Sequence, residues 1–422
     1  MTTSLRMSLL GFIRVFTFAI LTGLCFGHSD PFNPRPLPAT IPKETLNSHD
    51  ELHARDAFEI KHQKPNGAGE SLRHITPPAG AELGFIPVRT ANHEKVTVFR
   101  TKGLRNEEIS HAYVVIHGKY RNGDRYWERL NDAVNDARRD GFPGADRNLT
   151  IVAPIFFSAR YSPGQYVKNQ LAWGNISLWQ AGETATHPVG TEVTSIDALD
   201  AIIDEFSDQT IYPKISNITV IGHGGGGQLA QRYAAIAKEP APHVHIRYIH
   251  GDPSSCVYFT PDRPTLPGSV LPSKNTCKLY NTWRYGFDGF SGTSEALLSR
   301  EEFFRRYITR DVISLVGYQD ISHRGDQSCM ARMQGGRMRR ERNLIWYRYI
   351  NTLARTEENL DGFPGSFDNL PDWSHISNNS IQLRLIIIED ASHNAAQIFG
   401  HASVRSALFR DDDVELGWRP KV

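Results

Sequence analysis

Apolar residues fall along this chain in two rhythms. The first is a short continuous run, seen at residues 112–118, 149–154, 218–221 and 311–317, with less regular examples at 96–100, 245–250 and 382–388. Runs of that length predict strands, and unbroken apolar character predicts strands buried on both faces. The second rhythm is helical. Tyr126, Trp127, Leu130, Ala133, Val134 and Ala137 fall on one stripe, as do Ile196, Leu199, Ile202, Ile203 and Phe206. The spacing continues from Leu229 through Ala230, Tyr233, Ala234 and Ala237, and again over 338–353. Strand and helix alternate with no internal repeat, which predicts an α/β fold with a mostly parallel sheet covered on both faces. Residues 260–308 keep neither rhythm until their end, and the region around 256–308 reads as an insertion or small cap.

The stretch 218–233 holds the sharpest signal. A β-branched strand runs into Gly222, His223, Gly224, Gly225, Gly226 and Gly227, and a helix follows at once. A strand turning into a helix on glycines aims the helix's unpaired N–H groups at whatever fills the turn. Several readings fit. Gly222-x-Gly224-x-x-Gly227 matches a dinucleotide fingerprint, although that motif normally opens the first strand–helix–strand unit and here several strands precede it. An HGGG oxyanion loop needs a G-x-S-x-G downstream, and none follows. A nucleophile elbow fits if the serine of G-x-S-x-G is replaced by Gly224. A tight turn without chemistry also fits.

Composition limits the compartment and the partners. The chain has 422 residues and a formal charge of +1 with acids and bases interspersed. That balance gives no footprint for a nucleic acid. Arg337, Arg339, Arg340 and Arg342 read as the solvated face of a helix. Residues 1–27 read as a secretory signal, with Arg6 ahead of an apolar stretch and small residues Cys25 and Gly27 at the cleavage site. Arg14 inside the stretch argues against a stable membrane span, and no other run is long enough for one. A Pro-rich arm follows at 28–84, leaving 85–422 as the folded domain. Sequons at Asn148, Asn175, Asn217 and Asn378 suit a secreted glycoprotein. Removing Cys25 with the signal leaves Cys256, Cys277 and Cys329; the short loop favours Cys256–Cys277, with Cys329 free. The aromatics of 155–190, among them Phe156, Tyr161, Tyr166, Trp173 and Trp179, either wall a pocket or pack over the sheet.

The order of the motifs resembles the α/β-hydrolase pattern of nucleophile, acid and histidine. His117-Gly118-Lys119 follows an early strand, the glycine turn comes next, Asp320 follows a later strand, and His393 follows the last. More narrowly, the chain is similar to secreted fungal α/β-hydrolase-like proteins of the serine esterase and lipase kind. Their elbow reads G-H-S-A-G-G-Q followed by Q-R-Y-A. Here Gly222-His223-Gly224-Gly225-Gly226-Gly227-Gln228 precedes Gln231-Arg232-Tyr233-Ala234. Ile116 to Lys119, Asp252 to Ser255 and Tyr280 to Gly286 extend the likeness over roughly 85–410. The resemblance implies that Asp320 orients His393, that the N–H groups of Lys119 and Gly225 form an oxyanion hole, and that Gly224 stands where the serine belongs. It implies no cofactor and no metal.

Gly224 has no side chain and cannot attack an acyl carbon. Loss of the nucleophile costs a triad on the order of a million-fold. His223 reads as packed beside the elbow, and Ser254, Ser255 and Ser392 as poor substitutes for the missing serine. Three functions compete: a pseudo-hydrolase that binds a small ester-like or hydrophobic molecule, a non-covalent hydrolase or lyase using His393 and Asp320 as general base, and a dinucleotide-binding oxidoreductase. Ligand identity and oligomeric state stay open.

Overall fold

Each long apolar run forms a strand, and a hairpin ahead of them completes the sheet. The strands are β1 Ala81–Arg89, β2 Glu94–Thr101, β3 His111–Ile116, β4 Leu149–Ile155, β5 Asn217–His223, β6 His245–Gly251, β7 Asp311–Gly317 and β8 Leu383–Ile388. They line up as β1-β2-β4-β3-β5-β6-β7-β8. β1 and β2 pair antiparallel, β2 joins β4 antiparallel, and all later neighbours are parallel. The computed structural model describes residues 75–420 except 90–92, 163, 175–177 and 294–296. The signal read at 1–27, most of the arm at 28–84 and the sequon at Asn175 lie outside those residues; β1 begins at Ala81, inside the last part of the arm.

Helices that cover the sheet include α1 Gly123–Arg139, α2 Ser195–Ser207, α3 Gly225–Ile236, α4 Arg300–Thr309, α5 Arg339–Ala354 and α6 Ala395–Gly400. Side chains alternate across each strand, so one strand feeds two cores. On β3, Ala112, Val114 and Ile116 join the core of α2, α3, α4 and α5. Tyr113 and Val115 join the core of α1 and α6. α2 starts where its sequence says it should. The Thr194 hydroxyl accepts from the Asp197 N–H at 3.0 Å, and the Asp197 carboxylate accepts from the Thr194 N–H at 2.8 Å, which closes a capping box. Among the described residues no helix is long and apolar enough to cross a membrane.

One expectation fails here. The disulfide joins Cys277 to Cys329, and Cys256 is the free, buried thiol. Loop length favoured the shorter ring, but Cys256 follows β6 into the core, where burial pushes its thiol up to about 12. Of the two readings of the aromatics of 155–190, packing holds for three: Phe156 stacks on Trp179 with ring centroids 5.2 Å apart, and Trp173 and Trp179 are fully buried, while Phe157 borders a separate cavity.

Three buried histidines are held neutral chiefly by burial. Burial pulls His111, His117 and His250 down to about 3. His117 is tied as a neutral ring, since Nδ1–H donates to the Gly118 carbonyl at 2.8 Å and Nε2 accepts from the Phe156 N–H at 3.0 Å. Unfolding returns each group to about 6.5, so the stability they carry is complete above that pH and is lost as pH falls toward 3. Three such groups give a slope approaching about 4 kcal/mol per pH unit. Urea unfolding is expected to show a flat midpoint from pH 7 to 8 and a steep fall between pH 6 and 4. A midpoint unmoved across that range would show that these imidazoles titrate normally.

Candidate active site

The elbow is built by close backbone packing. A Cβ on Gly222 would overlap the backbone of Gly226, one on Gly226 would overlap the Ile116 carbonyl, and one on Gly227 would overlap the Gly251 carbonyl. These glycines let α3 press onto β3 and β6. Gly224 differs. It sits at φ 60° and ψ −110°, between the end of β5 and the first turn of α3. Its N–H donates to the Gly251 carbonyl at 2.8 Å, and its carbonyl accepts from Gln228 N–H at 3.0 Å. A Cβ there would meet only His393, with Nε2 at 3.0 Å and Cε1 at 3.2 Å. The position expected for a nucleophile therefore points at the expected histidine.

His393 lies in the loop between β8 and α6, and its Nδ1–H donates to Asp320 Oδ2 at 2.8 Å. That bond leaves the Nε2 lone pair facing Gly224. Burial and the neighbouring His223 hold the His393 imidazole well below its usual range, against the upward pull of Asp320. A third of the side chain remains open.

Asp320 follows β7 and is fully buried. Burial raises its carboxyl, but His393 and Arg339 outweigh that and keep it below the ordinary carboxylate range. Arg339 grips both oxygens, Nε to Oδ2 at 2.7 Å and Nη2 to Oδ1 at 2.6 Å. This overturns the solvated reading of the arginine cluster. Arg339 and Arg342 are each 2 % exposed, and Arg342 donates to the carbonyls of Ser254 and Asp326 at 2.7 Å. Arg340 is half-buried over the Tyr318 ring at 4.5 Å, and only Arg337 faces solvent. The buried arginines fasten α5 to the loops that carry the acid.

Lys119 and Gly225 come together beside the elbow. A Cβ placed on Gly225 would lie 3.0 Å from the Lys119 nitrogen. Gly225 opens α3, and it and Lys119 line one cavity. Their neighbours are held by a polar network absent from the sequence reading. Gln228 Nε2–H donates to Gln180 at 3.0 Å, Ser255 donates to Gln228 at 2.9 Å, and Arg232 donates to Ser255 at 3.1 Å. The hydroxyl of Ser255 is thereby engaged away from His393. Ser392 is exposed and donates to Gln397 at 3.1 Å.

His223 is packed beside the elbow, as expected, and its partner is new. His223 Nε2 and Asp252 Oδ2 lie 3.2 Å apart, and Asp252 Oδ1 accepts from the Gly317 N–H at 3.0 Å. The His223 and His393 rings are 4.5 Å apart. One ligand atom each from His223, Asp252 and His393 falls within 4.8 Å of the others, which makes this trio the group among the described residues that could close on a metal ion. Two of the three already satisfy each other, and the Arg339 guanidinium lies nearby, which disfavours a cation.

Above these residues opens a cavity of about 560 Å³. Gly118, Lys119, Gly224, Gly225 and His393 line it together with Arg129, Arg284 and Arg324.

Neither a protein-family model nor a curated protein matches the chain. Solved structures do. A poly(3-hydroxybutyrate) depolymerase, LpqC from Bordetella parapertussis, superposes with a TM-score of 0.50 at 17 % identity, over 80 % of this chain and 93 % of that one. An IroE-like serine hydrolase from Shewanella oneidensis matches at 11 % identity and TM-score 0.42, over 79 % of this chain and 82 % of that one. The siderophore hydrolase EstB from Aspergillus nidulans matches at 12 % and 0.40, over 82 % and 99 %. At 17 % identity the depolymerase match is a likeness of fold, and with the mostly parallel sheet flanked by helices that fold is the α/β-hydrolase fold.

Proposed function

We propose, from an α/β-hydrolase fold whose elbow ends on a bare α-carbon, that this protein binds a small ester-like molecule and has given up serine-type covalent hydrolysis. One observation carries the reading: the residue aligned with His393 Nε2 is Gly224, which has no oxygen to offer. Secretion belongs to the same reading, supported by the leader at 1–27 and by a disulfide that needs an oxidising compartment. A fluorophosphonate probe tests it. Labelling should not exceed that of a His393→Ala control; labelling above the control would require another activated hydroxyl and end the proposal.

A second reading rests on the intact pair Asp320 and His393. With Nδ1 tied to Asp320, Nε2 is free to take a proton from water or substrate in the cavity. General-base catalysis of that kind contributes about 10²–10⁴-fold, enough only for activated substrates. Turnover of lactones and activated esters that does not change in His393→Ala would remove it.

A further inference from the structure

The lining of the cavity over Gly224 names a ligand chemistry. Among the described residues that line it, the apolar side chains are Ala395 and the rings of Tyr120 and Tyr126. The charged ones are Lys119, Arg129, Arg284, Arg324 and Arg339 against a single acid, Asp326. Two of the cations are answered. Arg339 is spent on Asp320 at 2.6 Å, and Arg284 lies 3.8 Å from Asp326. Asp326 is further occupied by the Tyr285 hydroxyl at 2.6 Å. The other three have no acidic partner among the described residues. Lys119 rests near the Tyr120 ring at 4.9 Å and Arg129 over the Tyr126 ring at 5.0 Å, both half-buried. Arg324 is exposed, and its backbone carbonyl accepts from both Arg339 and Gln327.

These three come from three separate segments: the loop after β3, helix α1, and the loop after β7. A chain with a net charge of +1 has gathered them, without compensating acids, around one concavity. Such a pocket focuses positive potential and concentrates anions. Its lining adds the N-terminus of α3 and Lys119, both suited to an anionic oxygen.

We infer that the cavity takes a small oligo-anion, a molecule bearing two or more carboxylate or phosphate groups. One group sits at the Lys119 and Gly225 end, where a serine enzyme would stabilise its oxyanion. The others reach Arg129 and Arg324. This rests on the binding reading above and narrows its ligand to an acidic ester or acid. The cations around the cavity favour this class over a purely hydrophobic ligand.

Calorimetric titration of the full chain with citrate, pyrophosphate and uncharged triacetin tests the inference. Citrate or pyrophosphate should saturate one site, and whichever binds tighter separates the carboxylate from the phosphate source. Affinity should fall with salt, and by about tenfold or more in Arg129→Gln/Arg324→Gln, since each charge-assisted contact is among the stronger hydrogen bonds. Unfolding midpoints check that the double variant is folded. Saturable triacetin binding without either anion would overturn the anion inference and leave the binding reading standing. Anion affinity unchanged in the folded double variant, or no binding by any probe, would also overturn it. Fluorophosphonate labelling judges the loss of serine chemistry separately.

Discussion

Gly224→Ser is expected to hydrolyse short-chain p-nitrophenyl esters at least about a hundredfold faster than the wild-type chain, measured as p-nitrophenol release. The partners of the missing hydroxyl are in place. His393 Nε2 lies 3.0 Å from where the new Cβ would stand, and Asp320 holds the other ring nitrogen at 2.8 Å. The spacing is slightly tight, so the imidazole must retreat by a few tenths of an ångström to let a hydroxyl reach it. A side chain at φ 60° and ψ −110° also costs about 1–3 kcal/mol, a strain that glycine avoids. Gly224→Ala should pay the same strain with no gain in rate, which isolates the hydroxyl as the cause. A folded serine variant as inactive as the alanine variant would show that the Lys119 and Gly225 N–H groups do not converge on a reacting oxyanion.

Arg339→Met should cost about 3–5 kcal/mol of folding stability, read from urea unfolding at neutral pH. Arg339 is the cation that compensates Asp320, and both side chains are almost wholly buried. Removing the guanidinium strands a carboxylate in the core; the remaining hydrogen bond from His393 cannot replace a bidentate grip. The sign of the pH response follows. With Arg339 present, Asp320 titrates below its unfolded value, so its stabilisation is complete above about pH 4 and fades as pH falls further. Without Arg339 its carboxyl rises, and the deficit of the variant should shrink on acidification as Asp320 takes up a proton. Asp320→Asn combined with Arg339→Met should recover part of the loss. A cost below about 1 kcal/mol for Arg339→Met would mean the pair is strained or solvated and does not hold the acid loop.

These arginines show where reading the chain fell short. Arg337, Arg339, Arg340 and Arg342 look alike as a run of charge. Yet Arg339 and Arg342 fall on the same helical spacing as Trp346, Tyr349 and Leu353, which are buried with them. The signal was present in the periodicity of α5 and was outweighed by the expectation that charge seeks water. Asp252 was visible only as part of a motif, because its partner His223 lies on a different strand. The pairing of Cys277 with Cys329 spans 52 residues, and ring length alone pointed elsewhere.

What the sequence determined by itself was local: strands from continuous apolar runs, helices from 3.6-residue spacing, and an elbow from the glycines that close packing demands. It also determined that the elbow carries no attacking oxygen, since a missing side chain is a property of one residue and needs no neighbour. The tertiary structure decided everything that depends on distance between remote segments. It brought residues 320 and 393 to within a hydrogen bond, buried one pair of arginines while leaving Arg337 in water, and left three cations around one cavity. Electrostatics acts through space, and a linear order of residues carries no distances.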